Sequence, residues 1–275
     1  MSVQLQTAIW QEEPAPGDAF AIEAARCHGY DVYGQLVGRA QWGEMVLLLL
    51  TGERPSAPHA ALLNDLAVAV ANPGPREASV HAAMSAGVSG SPAAATLAAA
   101  LAVGAGQGGG GRDVFCAMEA LARCGRDLDA WRADVAAPPV ERDDVWPELE
   151  HRPGFEPHAR SISTPVRQTL AALAPHVAGG TVGWLAEHAD ELSEINGAPL
   201  SLAGVAAAAL TDLGLSPVQG EMLYLLLRLP GAAAHALEQA DLGFKAFPFP
   251  EIELLDDPAE RLASAAASSR EEVSR

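Results

Sequence analysis

The chain has 275 residues and a formal net charge of −18, with 17 Lys and Arg against 35 Asp and Glu. That surface repels a phosphate backbone, which argues against a DNA or RNA footprint, although a local arginine or a helix N-terminus can still hold a small anion. Aromatic residues make up only 5% of a chain dominated by Leu and Ala, so helix formers outnumber the β-branched and aromatic residues that fill strands. A chain this long buries a substantial core as one large domain or as a large domain carrying a smaller one.

The first segment, Met1 to Gly17, carries Glu12, Glu13 and prolines instead of a basic and then apolar stretch, so no secretory signal is read there. The longest apolar run, Met45 to Leu50, is too short to span a bilayer. A cytoplasmic protein without membrane contact is expected. Cys27, Cys116 and Cys124 form no CxxC pair, which argues against structural zinc and fits isolated, small apolar side chains in a reducing compartment.

Helices are predicted in chain order from their caps. Gln41 to Thr51 ends at Gly52, and Ser201 to Leu213 ends at Gly214. Ser91-Pro92, Thr164-Pro165 and Ser216-Pro217 each open an apolar run, the hydroxyl capping free N–H groups and the proline suiting the first turn. These read as helices of about three turns. Ser91 to Val103 and Leu202 to Leu210 are nearly all alanine and leucine, so both are expected to be buried centrally. Met222 to Leu229 is apolar apart from Tyr224 and Arg228, and a guanidinium there must find an anion or solvent. Asp113 to Cys124 reads as a short helix. Two stretches break the pattern: Gly104 to Gly111 as a flexible hinge or loop, and Ala136 to Pro157 as a charged, exposed connection. The tail from Ala259 to Arg275 reads as polar, helical or frayed.

Known catalytic signatures are weak or missing. Gly104, Gly106 and Gly109 satisfy GxGxxG, but an alanine-rich helix precedes them where a dinucleotide site needs a strand. There is no GK[ST], HExxH or GxSxG, and the eight histidines are scattered. Asp143-Asp144 and Asp256-Asp257 read as solvated loop charge.

One resemblance orders these pieces. His28-Gly29-Tyr30-Asp31-Val32 is similar to an RGYD-like turn, and Gly43-Glu44-Met45 with Leu48 to Pro55 is similar to an FxEMxxLLLTGELP-like helix and stop. Gly104 to Gly111 sits where a GPLHGGA-like loop would. Pro153-Gly154-Phe155 resembles the start of a PGFGHPVHK-like segment. Arg228-Leu229-Pro230-Gly231 with Ala234-His235 and Glu238 resembles an RxxGxxAHxxE-like helix. In this order, over roughly Ala25 to Pro250, they resemble the citrate synthase superfamily, most of all its short citryl-CoA lyase-like members.

The resemblance implies an all-α, citrate synthase-like fold with a large and a smaller helical domain. Residues 1–110 would form the first part of the large domain, 111–214 the small domain, and 215–275 the return to the large domain with a polar tail. It implies a dimer, homomeric or with a related chain, no metal and no resident cofactor, and a CoA thioester as a possible substrate beside a polycarboxylate.

The family's chemistry needs a carboxylate to take a proton α to the thioester and two histidines to stabilise the enolate and polarise the acceptor. Here the histidine of the glycine loop falls on Gly108, that of the GFGHP-like segment on Glu156 or Pro157, and the VDG-like aspartate on Ala203 beside Gly204. The DPR-like arginine appears as Ser163. The implied candidates are therefore Glu156 and His158 as stand-in catalytic groups, with Arg228 as carboxylate clamp, Arg160 toward CoA phosphate and Gly108 in the substrate loop. Three readings stay open: an enzyme of carbon–carbon bond formation or cleavage with altered residues, a non-catalytic partner of an active related chain, and a helical scaffold.

Overall fold

A small antiparallel sheet precedes the helices: β1 (Trp10–Ala15), β2 (Asp18–Cys27) and β3 (Tyr30–Asp31), in the order β1-β2-β3. The computed structural model describes residues 6–137 and 151–252, together with 255, 258 and 261. The mostly helical expectation holds, and the sheet is an addition to it. Its strands are alanine- and glutamate-rich, with Pro14 on an edge strand at a register shift, so their composition gave little strand signal. The RGYD-like turn is the β2–β3 hairpin, with His28 and Gly29 both at positive φ. Cys27, Leu36 and Leu48 bury together and attach this sheet to the helices.

Among the described residues ten α-helices follow: α1 (Trp42–Thr51), α2 (Ala57–Val70), α3 (Ala78–Val88), α4 (Ala93–Gly104), α5 (Gly111–Cys124), α6 (Leu128–Ala136), α7 (Thr164–Leu173), α8 (Thr181–Asn196), α9 (Leu202–Asp212) and α10 (Pro217–Leu242). Short π- and 3-10 turns lie at Val32–Leu36, Ala174–His176 and Phe244–Ala246. Among the described residues no helix is long and apolar enough to cross a membrane. The predicted tail apart from residue 261, the pairs Asp143-Asp144 and Asp256-Asp257, and most of the charged connection lie outside the described residues.

The caps follow the predicted chemistry with small shifts. Gln41 and Glu44 form a capping box on α1, Ser216 and Gln219 another on α10, and Gly52 ends α1. The cap of α7 is Ser163 and that of α4 is Pro92, each one residue away from the predicted Thr164 and Ser91. The expectation of uniformly short helices is corrected by α10, which runs 26 residues with Pro230 inside. The chain continues through the proline because the next amide has a partner elsewhere: Gly231 N donates to Ala71 O at 2.8 Å.

Of the two alanine-leucine helices, only α9 is central. Every residue from Ala203 to Leu210 is buried, and α2, α5, α7, α8 and α10 pack around it. By contrast, α4 buries Thr96, Ala100 and Gly104, spaced four apart, against α3 and α10, and leaves much of its remaining surface open. Its Ala100 joins a second cluster with Val80, Ala83 and Met84 of α3 and Ala232 and Ala236 of α10, two helices that approach closely where Gly87 lies against the Ala236 backbone. All three cysteines are buried.

Candidate functional site

The glycine-rich loop joins the end of α4 to the start of α5 and is bordered by the first turn of α3, the middle of α10 and the Pro153–Phe155 turn. Gly109, at φ +66, is its pivot. The Gly109 carbonyl accepts Nη1 of Arg228 at 2.9 Å and the Tyr224 hydroxyl at 3.2 Å, while its amide donates to the Asp113 carboxylate. A left-handed backbone suits a residue that must turn its two polar groups toward different helices, and glycine adopts it without strain. Tightness is enforced next door, where a Cβ on Gly110 would meet Gly104 O at 2.6 Å.

Arg228 is buried and paired. Its Nη2 pairs with Glu77 Oε1 at 2.7 Å, its Nη1 bonds Gly109, and its guanidinium carbon lies 5.0 Å from the Tyr224 ring centroid. Glu77 caps α3 with its other oxygen, Oε2, which accepts Ser79 N at 2.9 Å, Val80 N at 3.3 Å and the Ser79 hydroxyl. The charge demanded by a guanidinium inside an apolar helix is thus met by the helix-capping residue of a neighbouring helix. Burial pushes the Tyr224 phenol up to about 12, so it stays protonated and serves as donor to the loop.

Asp113, in the first turn of α5, is only 1% exposed. Its Oδ1 accepts Gly154 N at 2.9 Å, and His151 Nε2 lies 3.9 Å from the same oxygen. Burial pushes the carboxyl up to about 7; the amides of Gly154 and Gly109 oppose the rise, and the charge of Glu156 adds to it. One carboxyl therefore ties the glycine loop to the Pro153–Phe155 turn.

The residues singled out in sequence lie in two places. Gly108 and Arg228 both belong to the loop and its border, with open space around the Gly108 α-carbon. Glu156, His158 and Arg160 lie on an exposed loop beyond the Pro153–Phe155 turn. Glu156 N donates to Pro199 O at 2.7 Å, and Glu156 Oε1 accepts His158 N at 3.2 Å. Ala203, at the VDG-like position, faces the apolar core, and a Cβ on the adjoining Gly204 would lie against the Gly154 carbonyl oxygen. This part of the site is closed by backbone-to-backbone packing, with an apolar pocket behind it lined by Ala117, Leu121, Trp131, Phe155 and Leu200.

Sequence reasoning did not single out Glu77, Asp113 or His151. Asp113 reads in sequence as an ordinary first-turn acid, and Glu77 as one charge in a polar stretch before an apolar helix. The available signal was the isolated Arg228, which required an anion without saying which one. Among the described residues no three His, Cys, Asp or Glu side chains gather as metal ligands.

No protein-family model matches the chain, and no curated relative matches it. Solved structures do. Citryl-CoA lyase from Hydrogenobacter thermophilus superposes with a TM-score of 0.70 at 19% identity, covering 92% of this chain and 95% of that one. ATP citrate lyase from Methanothrix soehngenii, in complex with citrate and coenzyme A, gives 0.71 at 16% identity over 94% of this chain. ATP citrate lyase from Methanosaeta concilii, in complex with (3S)-citryl-CoA, gives 0.69 at 15% over 95%. This chain spans 43% of the length of both ATP citrate lyase chains. These likenesses show that the fold is citrate synthase-like, and at such identities they show the fold alone.

Proposed function

We propose that this chain, built on a citrate synthase-like fold, is a non-catalytic member of that group which serves as a regulatory or completing subunit beside an active related chain. The observation that carries the reading is the closed start of α9: Ala203 faces the apolar core and Gly204 packs on the Gly154 backbone where the resemblance calls for a proton-abstracting carboxylate. Gly108 likewise brings no side chain to the loop. Neither residue can transfer a proton or donate a side-chain hydrogen bond, and losing one such group costs roughly 10²-fold or more in rate. The chain would work as a homodimer or, in this role, as a heterodimer, with the 111–214 segment as its smaller domain.

A second reading keeps an enzyme that forms or cleaves a carbon–carbon bond beside a CoA thioester with altered residues. Asp113 favours it, as a carboxyl near 7 beside the glycine loop. Its near-complete burial and two backbone donors suit a structural tie better than access to a substrate.

The test mixes the purified chain with an active related chain from the same source and follows assembly by native mass spectrometry. Calorimetry with acetyl-CoA and citrate and a condensation assay with oxaloacetate on the chain alone complete it. Stable hetero-association without turnover is the expected result; turnover by the chain alone overturns the reading, and failure to associate or to bind leaves a scaffold in its place.

A further inference from the structure

We infer that Asp113 is a proton-operated latch on the glycine loop: with the carboxyl protonated the loop lies closed on α5, and loss of that proton releases Gly106 to Gly110 while the helices stay folded. The carboxyl sits where three segments meet. It is 1% exposed and accepts two backbone amides, that of Gly154 from the Pro153–Phe155 turn and that of Gly109 from the loop. An ionised carboxyl would hold both amides more strongly, but two amides do not replace the water that a carboxylate loses on full enclosure. Burial outweighs them, which is why ionisation is pushed up to about 7. The titratable and charged groups around it are His151 and Glu156 on the turn side, Arg112 beside it on α5, Tyr224 and Arg228 on α10, and Glu77 behind Arg228. Of these, the negative charge of Glu156 adds to the cost of ionising Asp113.

Of the three segments, the loop is the one that yields. The turn is pinned on its far side, where Ser201 N donates to Gly154 O at 3.0 Å and Glu156 N to Pro199 O at 2.7 Å. The first turn of α5 is fixed by the burial of Gly111, Val114 and Ala117. The loop is held less firmly: Gly108 and Gly109 are exposed, and the unbroken run Gly108 to Gly111 has no side chain to bury. Glycine also regains more backbone freedom on release than any other residue. Its further ties include the bonds from Tyr224 and Arg228 to the Gly109 carbonyl, whose donors water can satisfy, and two long backbone bonds, Gly106 N to Val103 O at 3.2 Å and Arg112 N to Ala105 O at 3.3 Å. Opening at this end hydrates the carboxylate at far lower cost than unfolding the core.

The latch is a property of the chain alone and does not depend on whether the chain turns over a substrate. Hydrogen exchange of the Gly106, Gly109 and Arg112 amides, resolved by fragmentation mass spectrometry from about pH 5 to pH 9 and corrected for intrinsic exchange, reads it directly. In the unaltered chain the opening constant should rise about tenfold per pH unit up to pH 7 and level off above, because only the closed state keeps the proton. These amides should exchange at least about 100-fold faster than those of α9 and ignore dilute urea, as local opening requires. Asp113→Asn, which cannot ionise, should give a flat profile. A flat profile in the unaltered chain, loop amides that open only as far as α9 does and respond to urea as α9 does, or a rise that persists in Asp113→Asn overturns the inference. If the variant does not fold, the slope, the levelling and the urea response of the unaltered chain decide it.

Discussion

Asp113 and Gly154 meet across 41 positions of chain, the Asp113 Oδ1 accepting the Gly154 amide at 2.9 Å in a site from which water is excluded. Through the Gly109 amide the same carboxyl reaches the glycine loop, and through the Gly109 carbonyl that loop reaches Arg228. The polar groups of three separated segments are thereby satisfied by one another, as buried polar groups must be.

Asp113 should make stability depend on pH. Its carboxyl ionises near 7 in the folded chain against 3.8 ordinarily, with burial as the main cause and His151, Glu156 and Tyr224 as the titratable neighbours. Between those values the folded state holds a proton that the unfolded chain has lost, so the contribution is full below about pH 4 and falls as pH rises through 7. The span corresponds to about 4 kcal/mol. Asp113→Asn stays neutral and keeps an acceptor for the amides. Urea midpoints from about pH 5 to pH 8 should show the unaltered chain losing ground to this variant as pH rises, and parallel curves would contradict the assignment.

Two glycine substitutions should separate sharply. Gly204→Ala places a Cβ against the Gly154 carbonyl oxygen and 2.9 Å from Leu200 Cδ1, where neither backbone can give way cheaply. It should cost about 3 kcal/mol. Gly108→Ala enters open space and should leave the melting temperature within about 2 °C. Equal effects at the two positions would refute the closed packing at the start of α9.

The Arg228–Glu77 pair should behave as a coupled unit. Arg228→Leu leaves a largely buried carboxylate without its cation and should cost about 3 kcal/mol, more than the double change Arg228→Leu/Glu77→Gln. A double-mutant cycle in denaturant gives the coupling energy; a value near zero would mean that Glu77 serves α3 alone.

Glu156→Ala and His158→Ala alter exposed side chains and should shift stability by no more than about 0.5 kcal/mol each. In the non-catalytic reading neither should change assembly with a related chain. Loss of a measurable acyl-CoA reaction in either variant would instead restore these residues to a catalytic role.

The helical architecture was legible because caps and breakers are local. Gly52, Ser216 and the glycine run each mark an element end by chemistry that acts within a few residues. The burial of α4 was not legible. Alanine carries so little apolar surface that an alanine helix can lie on the outside, as α4 largely does, or at the centre, as α9 does, with nearly the same composition. Of the candidate site, Arg228 announced itself as a charge in an apolar helix. Its partner Glu77 and the buried tie made by Asp113 depend on long-range packing, and an acid near a helix start looks alike in sequence whether it is solvated or enclosed.

The central claim of the proposed function is that no group among the described residues is placed to take a proton from carbon beside a thioester. Incubating acetyl-CoA with the purified chain in heavy water, with and without oxaloacetate, and following deuterium in the acetyl methyl group by mass spectrometry tests it at the first chemical step. Incorporation no faster than in buffer is the predicted result. Exchange above that blank, removed by a single substitution such as Asp113→Asn, would identify a working base and contradict the account.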